Sequence, residues 1–375
     1  MSRRRSAFVI SDCSEREQGI EIVQIKPLPL LKGIATKVFP QLALVEFNRR
    51  DLDCDLARYS YSVWLRHLVT LHESGLPTEP RIVAELGPGK SLGFGICALL
   101  SGATRYYALD LVRYCGAPDE DMLWKISELF KNRKSIPDER EFPDLQPKLK
   151  SYEFPSQKFT DARLGATLKQ ERLQAIAAAI KNSRGQTEEG PAIQYFAPWN
   201  DAGIIKEETV DLLCSQFVLE HVDDLPETYR SMHRWLAPGG VMSHCVDFKS
   251  HAMTKDWNGH WTCSDRLWSL LRGKRPYMLN REPHSSHLKL IRQTGFEIVS
   301  DFTTRDFSGV KQDSLAAKFQ DRLDAEDLST SGALIQCLKT ERQPDRPKLR
   351  VIANNSAHEG KSSAEWSNAG KNVQL

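Results

Sequence analysis

Residues 81–110, RIVAELGPGKSLGFGICALLSGATRYYALD, constrain the fold more than any other part of the chain. Ile82 to Leu86 is a short apolar run of the kind found in a buried strand. Gly87-Pro88-Gly89 stops it. Pro88 has no N–H to donate, and the two glycines can take φ > 0 and let another molecule approach the backbone. Ser91 to Leu100 has helical spacing and little charge, which predicts a well-buried helix ended by Gly102. Tyr106 to Leu109 is the next apolar run, and it ends on Asp110. Strand, glycine turn, helix, strand is an order that aims backbone N–H groups and a positive helix end at one spot. An acid at the next strand tip can accept from both hydroxyls of a ribose. A nucleoside-containing cofactor is the natural occupant, and the alternative is a tight turn with no ligand.

Three cofactors compete for such a turn. A P-loop would need its first glycine where Ala84 stands. A dinucleotide turn would need its third glycine one residue before Gly93, and it would set Glu85 beside a pyrophosphate. That carboxylate suits a cofactor with an ammonium and a sulfonium, S-adenosylmethionine. The pattern E-L-G-P-G, followed by a strand ending in Asp110, resembles motif I and the ribose acid of class I methyltransferases.

A second block, residues 209–222 (TVDLLCSQFVLEHV), reads as a buried strand, Val210 to Cys214, with the polar tip Ser215-Gln216. Asp224, Pro226 and Glu227 start a helix that runs to Leu236. Ala237 to Gly240 (APGG) ends it, and Val241 to Phe248 is a fifth strand. This block resembles motifs IV to VI of the same superfamily, and the resemblance covers about residues 55–340. It implies an α/β fold: a Rossmann-like, seven-stranded, mostly parallel sheet with helices on both faces, an antiparallel last strand, and a helical insertion after strand 2. It also implies roles. Glu85, Gly87 and Gly89 would hold the amino-acid end of S-adenosylmethionine, and Asp110 the ribose. Asn200 or Asp201, in the loop after a third strand (Ala192 to Phe196), would accept from the adenine amino group, with Trp199 or Phe196 stacking on the ring. Ser215 and Gln216 would face the transferring methyl. For His221, packing or hydrogen bonding at a helix start is the simpler reading.

The remaining chain divides into a 1–50 N-terminal extension, a methyltransferase domain at 51–340 and a polar, disordered tail at 341–375. In the extension, Ile20 to Ile25 and Leu42 to Phe47 read as short strands, and Pro27 and Pro29 as breaks. Asp51 to His72 holds a helix closed by Gly75 and Pro77. Its Tyr59 and Tyr61 either touch the cofactor or pack. The interval of about 80 residues between strands two and three is too long for a simple crossover. The insertion, about 115–190, reads as a helix at Glu120 to Lys131, a proline-rich stretch from Pro137 to Pro155, a long helix at Asp161 to Lys181 and a polar loop. It would shape the acceptor pocket or an oligomer interface, or it is a solvated elaboration. Ser285 to Thr294 and Leu315 to Leu323 read as helices, and Phe296 to Phe302 and Ala333 to Lys339 as the closing strands.

The net charge of +2 on 375 residues argues against a nucleic-acid partner. No stretch approaches the roughly 18 apolar residues of a membrane span, and the first residues make no convincing signal peptide. Eight scattered cysteines without a C-x-x-C pair read as reduced core thiols of a cytoplasmic protein.

The least generic stretch, residues 243–287, carries His244, Asp247, Lys249, His251, His260, Arg281, His284 and His287 among aromatics. It lacks zinc-type spacing, so no metal is expected. Asp247, His244 and His251 are the candidate general bases. Tryptophans among polar groups also suit a sugar-binding surface. This SHxVDFKSH…WNGHW…NR stretch is similar to methyltransferases of bacterial polysaccharide biosynthesis, which implies O-methylation of a sugar or other small hydroxylated acceptor. Two rival readings are a nicotinamide-dependent dehydrogenase, which Glu85 and the late glycine oppose, and a methyltransferase-fold scaffold without turnover.

Overall fold

The computed structural model describes residues 25–43, 55–115, 120–183, 190–199, 201–275 and 278–340. The tail at 341–375, most of the two expected N-terminal strands, most of the polar loop after residue 183, and Asn200 lie outside them.

Seven strands form one sheet: β1 (Ile82–Leu86), β2 (Arg105–Leu109), β3 (Ala192–Phe196), β4 (Val210–Gln216), β5 (Leu236–Asp247), β6 (Phe296–Arg305) and β7 (Thr330–Lys339). Their order is β3-β2-β1-β4-β5-β7-β6. All neighbours are parallel except that β7 runs antiparallel to β5 and β6. The chain leaves β1 for β2 on one side and returns to β4 on the other. The strand tips at that switch point are where this architecture leaves a crevice. Register aligns them: Leu86 pairs with both Leu109 and Ser215, and Ser215 with His244. Hence the glycine turn, Asp110, Gln216 and the end of β5 share one edge of the sheet.

Two apolar layers sandwich the sheet. After α1 (Pro27–Val38), one face is covered by α2 (Leu56–Glu73), α3 (Gly93–Leu100), α4 (Glu120–Lys131), α5 (Asp161–Thr167) and α6 (Gln170–Lys181). The other is covered chiefly by α7 (Leu225–Trp235) and, beyond α8 (Asp265–Arg272), by α9 (His284–Thr294). All eight residues of α3 are buried, as its lack of charge predicts. Its glycines serve packing. A Cβ on Gly93 would run into Ser60 of α2, and one on Gly95 into the Tyr106 ring. The glycine that arrives too late for a dinucleotide turn is therefore the point where α2 crosses α3.

Several local expectations need correction. Pro27 and Pro29 do not break the chain; they start α1, at positions whose N–H groups have no intrahelical acceptor. This helix packs on α8 so closely that a Cβ on Gly33 or Gly273 would collide with backbone. The single long helix at 161–181 is two, because Lys169 is extended (ψ 143°). The helix expected at Leu315 to Leu323 shrinks to the turn α10 (Ala317–Gln320), followed by α11 (Ala325–Ser329). The APGG segment lies inside β5 rather than before it.

No disulfide joins the described cysteines, and Cys97, Cys214, Cys245, Cys263 and Cys337 are buried. No helix among the described residues is long and apolar enough to cross a membrane.

The proline-rich part of the insertion is tied to α2 through a buried cation. Arg66, 0% exposed, donates to the carbonyls of Pro137 (3.0 Å), Leu145 (3.3 Å) and Pro147 (2.6 Å). Its Nη1 also pairs with Glu139 at 3.3 Å. The Gln146 carbonyl accepts from Gln216 Nε2 (3.1 Å), so this segment reaches the tip of β4.

Candidate active site

Gly87 and Gly89 both take positive φ, 67° and 64°. The Gly87 N–H donates to the Leu109 carbonyl (2.7 Å), and the Gly89 N–H to Asp110 Oδ2 (3.2 Å). Asp110 Oδ1 accepts from the Leu111 N–H (2.8 Å), and the Tyr195 hydroxyl lies 3.4 Å from Oδ2. Burial pushes the Asp110 carboxyl up to about 6, against the pull of those three donors. Sequence reasoning passed over Tyr195 for this role. Only the register, Ala108 beside Tyr195, brings it to Asp110.

Glu85 sits beneath the turn, buried, and accepts from the Tyr106 hydroxyl. Burial raises its carboxyl to about 8, so it is largely protonated at neutral pH while nothing cationic is beside it. Tyr59 and Tyr61 pack: Tyr59 edge-on against Phe142, and Tyr61 with its hydroxyl on the Lys134 carbonyl (2.7 Å). Asp201 is exposed and caps the Gly203 N–H (2.8 Å), while Trp199 meets Trp235 edge-on.

The two residues at the β4 tip part company. Gln216 is half-buried, with Oε1 3.2 Å from His67 Nε2. The Ser215 hydroxyl turns into the core and shares a hydrogen bond with His244 Nδ1 (2.8 Å). His244 is in register with the strand tips, but its ring is 1% exposed and bonded inside the core, and burial with its histidine neighbours lowers it to about 3, so it does not join the other candidate bases.

Asp247 and His251 do meet: Oδ2 lies 3.3 Å from Nε2. Burial works against the Asp247 charge, but the hydrogen bond from His251 and the charge and N–H of Lys249 prevail and hold its carboxyl below the usual range. His251 and Ala252 have φ of 47° and 60°. Asn258, 0% exposed, anchors this loop, donating to the carbonyls of Val310 (3.3 Å) and Leu328 (3.2 Å) and accepting from the Val310 N–H (2.7 Å).

His221, for which packing was the simpler reading, and Glu220, which the sequence does not single out, adjoin this pair. After β4, a 3-10 turn (Leu219–His221) carries the buried Glu220, and the His221 and His251 rings stand 5.1 Å apart. Glu220 is raised well above the usual range by burial first, with the Asp247 charge adding to it. His221 and His251 line a cavity of about 120 Å³ together with Leu28, Lys32, Arg275 and Met278, among others.

The other histidines of the 243–287 stretch are structural. His260 and His287 are enclosed, and burial lowers both to about 3. His287 bonds the Tyr229 hydroxyl (2.9 Å), and His284 pairs with Asp301 (3.0 Å). Two of the three tryptophans expected on a sugar-binding surface are core, Trp261 (0% exposed) and Trp268 (6%), with the buried Arg281 stacked on Trp268, while Trp257 is half-buried.

A family model for a methyltransferase domain matches residues 84–301, from the strand before the glycine turn to the strand beyond the His251 loop. The chain belongs to this methyltransferase-domain family. The sheet order and antiparallel β7 are those of the class I, Rossmann-like architecture. No curated protein matches this methyltransferase-domain protein. Among solved structures, it is similar to an S-adenosylmethionine-dependent methyltransferase of Mesorhizobium loti (17% identity, 72% of this chain and 96% of that one, TM-score 0.35). It is also similar to Haemonchus contortus phosphoethanolamine N-methyltransferase 2, solved with S-adenosyl-L-methionine (15% identity, 74% and 53%, TM-score 0.36). Neither likeness is close enough to bring an acceptor to this chain.

Proposed function

We propose that this protein transfers the methyl group of S-adenosylmethionine to a hydroxyl of a small acceptor, a sugar being the leading class. The observation that carries the reading is one shared edge. The Gly89–Asp110 hydrogen bond at the tips of β1 and β2 and the Asp247–His251 pair beyond β5 lie at the same end of the sheet. That common end supports a reading in which cofactor and acceptor meet there, across the tip of β4.

In this reading Gly87 and Gly89 let the backbone meet the amino-acid end of the cofactor, and Asp110 accepts from the ribose. Beside the charge of the cofactor's ammonium, Glu85 would release its proton to solvent and, as a carboxylate, orient that group directly or through water. Asn200 or Asp201 accepts from the adenine amino group, and Ser215 and Gln216 flank the transferring methyl, Ser215 through its backbone. The reaction is an in-line displacement, so alignment of acceptor, methyl and sulfur supplies most of the acceleration. Asp247 keeps the His251 proton on Nε2 and leaves Nδ1 to handle the acceptor's proton. A cytoplasmic setting, where S-adenosylmethionine and sugar precursors are made, fits this chemistry.

The test is to incubate the protein with methyl-labelled S-adenosylmethionine and a panel of sugars and nucleotide sugars. Label should appear in a saccharide and be lost with Asp247→Asn. Label appearing only on nitrogen or carboxyl acceptors would remove the sugar reading. Reduction of a nicotinamide cofactor in its place would remove methyl transfer as well.

A further inference from the structure

The Glu220 carboxylate is fully buried, and neither oxygen has a hydrogen-bond partner of good geometry. Its own N–H and that of Asp247 point loosely at it, and the Lys249 charge acts on it without a direct bond. A buried carboxylate in that condition is costly unless a proton or a cation neutralises it. A proton would solve half the problem, since the resulting O–H would itself need an acceptor. Two imidazoles, His221 and His251, offer a better solution. Their donor nitrogens and a Glu220 oxygen all lie within 4.8 Å of one another.

We infer that Glu220, His221 and His251 form a site for one divalent transition-metal ion at the floor of the cavity beneath α1. Two imidazoles and one carboxylate are a donor set for zinc, manganese or ferrous iron, and they leave coordination positions open. Donors about 2.1 Å from a common ion stand about 3.4 Å apart at a tetrahedral centre and about 4.2 Å when opposite one another, so a pair at the 4.8 Å limit would close by about 0.6–1.4 Å, a side-chain adjustment. Asp247, bonded to His251 Nε2, supplies the carboxylate that commonly holds a ligating histidine, and it leaves the lone pair on Nδ1. The cavity's buried cation does not compete at the floor. The Arg275 guanidinium is taken up by the carbonyls of Leu271, Arg272 and Pro29.

This site deepens the methyl-transfer reading and rests on it for its role. An ion here would bind the acceptor oxygen and lower the pKa of its hydroxyl, so that the proton could pass to solvent water, with His251 acting as ligand rather than as proton acceptor. The three ligands come from two segments about 30 residues apart, which is why no zinc-type spacing marks them in the chain.

The experiment uses the full chain without an affinity tag, stripped with a chelator and titrated with Zn²⁺ and Mn²⁺ by calorimetry, with Co²⁺ absorption as the spectroscopic probe. Wild type should bind one equivalent and melt at a higher temperature when loaded. Glu220→Gln, His221→Ala and His251→Ala should each weaken the ion at least 100-fold, and Asp247→Asn about 10- to 100-fold. S-adenosylhomocysteine affinity, titrated separately, should stay within about twofold in all of them. Should Glu220→Gln not fold, His251→Ala, on a quarter-exposed loop side chain, reads the same site. Absence of binding, or variants that bind like wild type, would overturn the metal site. Chelated protein that methylates at full rate would overturn its role and leave the transferase reading standing. Metal bound at these residues without methyl transfer to any acceptor would do the reverse.

Discussion

The backbone N–H of Gly89 donates to the Asp110 carboxylate across 3.2 Å, which makes the glycine turn and the neighbouring strand tip one unit. The acid is oriented before any ligand arrives, and the turn that would meet the ligand is braced by that acid. Changes on either side should therefore be felt on both.

The two glycines of the turn should not respond equally. A Cβ on Gly87 would collide with Val218, whereas one on Gly89 meets nothing within 4 Å. Gly89→Ala should cost about 1–2 kcal/mol from the left-handed backbone alone. Gly87→Ala should cost about 2–4 kcal/mol, strain plus displacement of Val218. Thermal melts of the two variants check the order, and equal losses would contradict it.

Glu85 should make stability depend on pH. Its folded carboxyl, pushed up to about 8 by burial, holds a proton that the unfolded chain releases near 4.5. The folded state therefore binds more protons between those values, and stability should fall as pH rises through that window, by up to roughly 4 kcal/mol. Glu85→Gln should lessen the fall in melting temperature between pH 5 and 8, the raised carboxyls of Asp110 and Glu220 keeping the rest of it. A wild-type profile that rises over this range would contradict the assignment.

Asn258→Ala should separate the two halves of the site. The side chain joins the His251 loop to Val310 and Leu328 by three hydrogen bonds, none of them to the glycine turn. Loss of this buried network should cost about 2–4 kcal/mol. Methyl transfer should fall at least tenfold while S-adenosylhomocysteine binding persists. Calorimetry and a transfer assay on the same preparation give both readouts.

Arg66→Met should release the proline-rich segment. It strips a buried cation from three carbonyls and from Glu139, at a cost of about 3–5 kcal/mol. Limited proteolysis should then cut within residues 137–155, where wild type is resistant.

The sheet and its turn could be read from the chain because they rest on local signals: apolar runs, glycines at a forced turn, and an acid ending a strand. β1, β2 and β3 run where the residue pattern puts them. The 243–287 stretch was harder, because residue type does not reveal direction. Its histidines and tryptophans look alike in sequence, yet the fold buries His244, His260, His287, Trp261 and Trp268 and leaves His251 beside Asp247. Glu220 and Tyr195 were invisible for the opposite reason. Each takes its meaning from a partner on another segment, through register or through a loop that folds back.

The central claim is that the Gly87–Gly89 turn and Asp110 hold S-adenosylmethionine, and calorimetry with S-adenosylhomocysteine tests it most directly. Wild type should bind one equivalent, Asp110→Ala should bind at least tenfold more weakly, and His251→Ala should bind like wild type. Asp110→Ala binding as tightly as wild type, or wild type binding none, would contradict it.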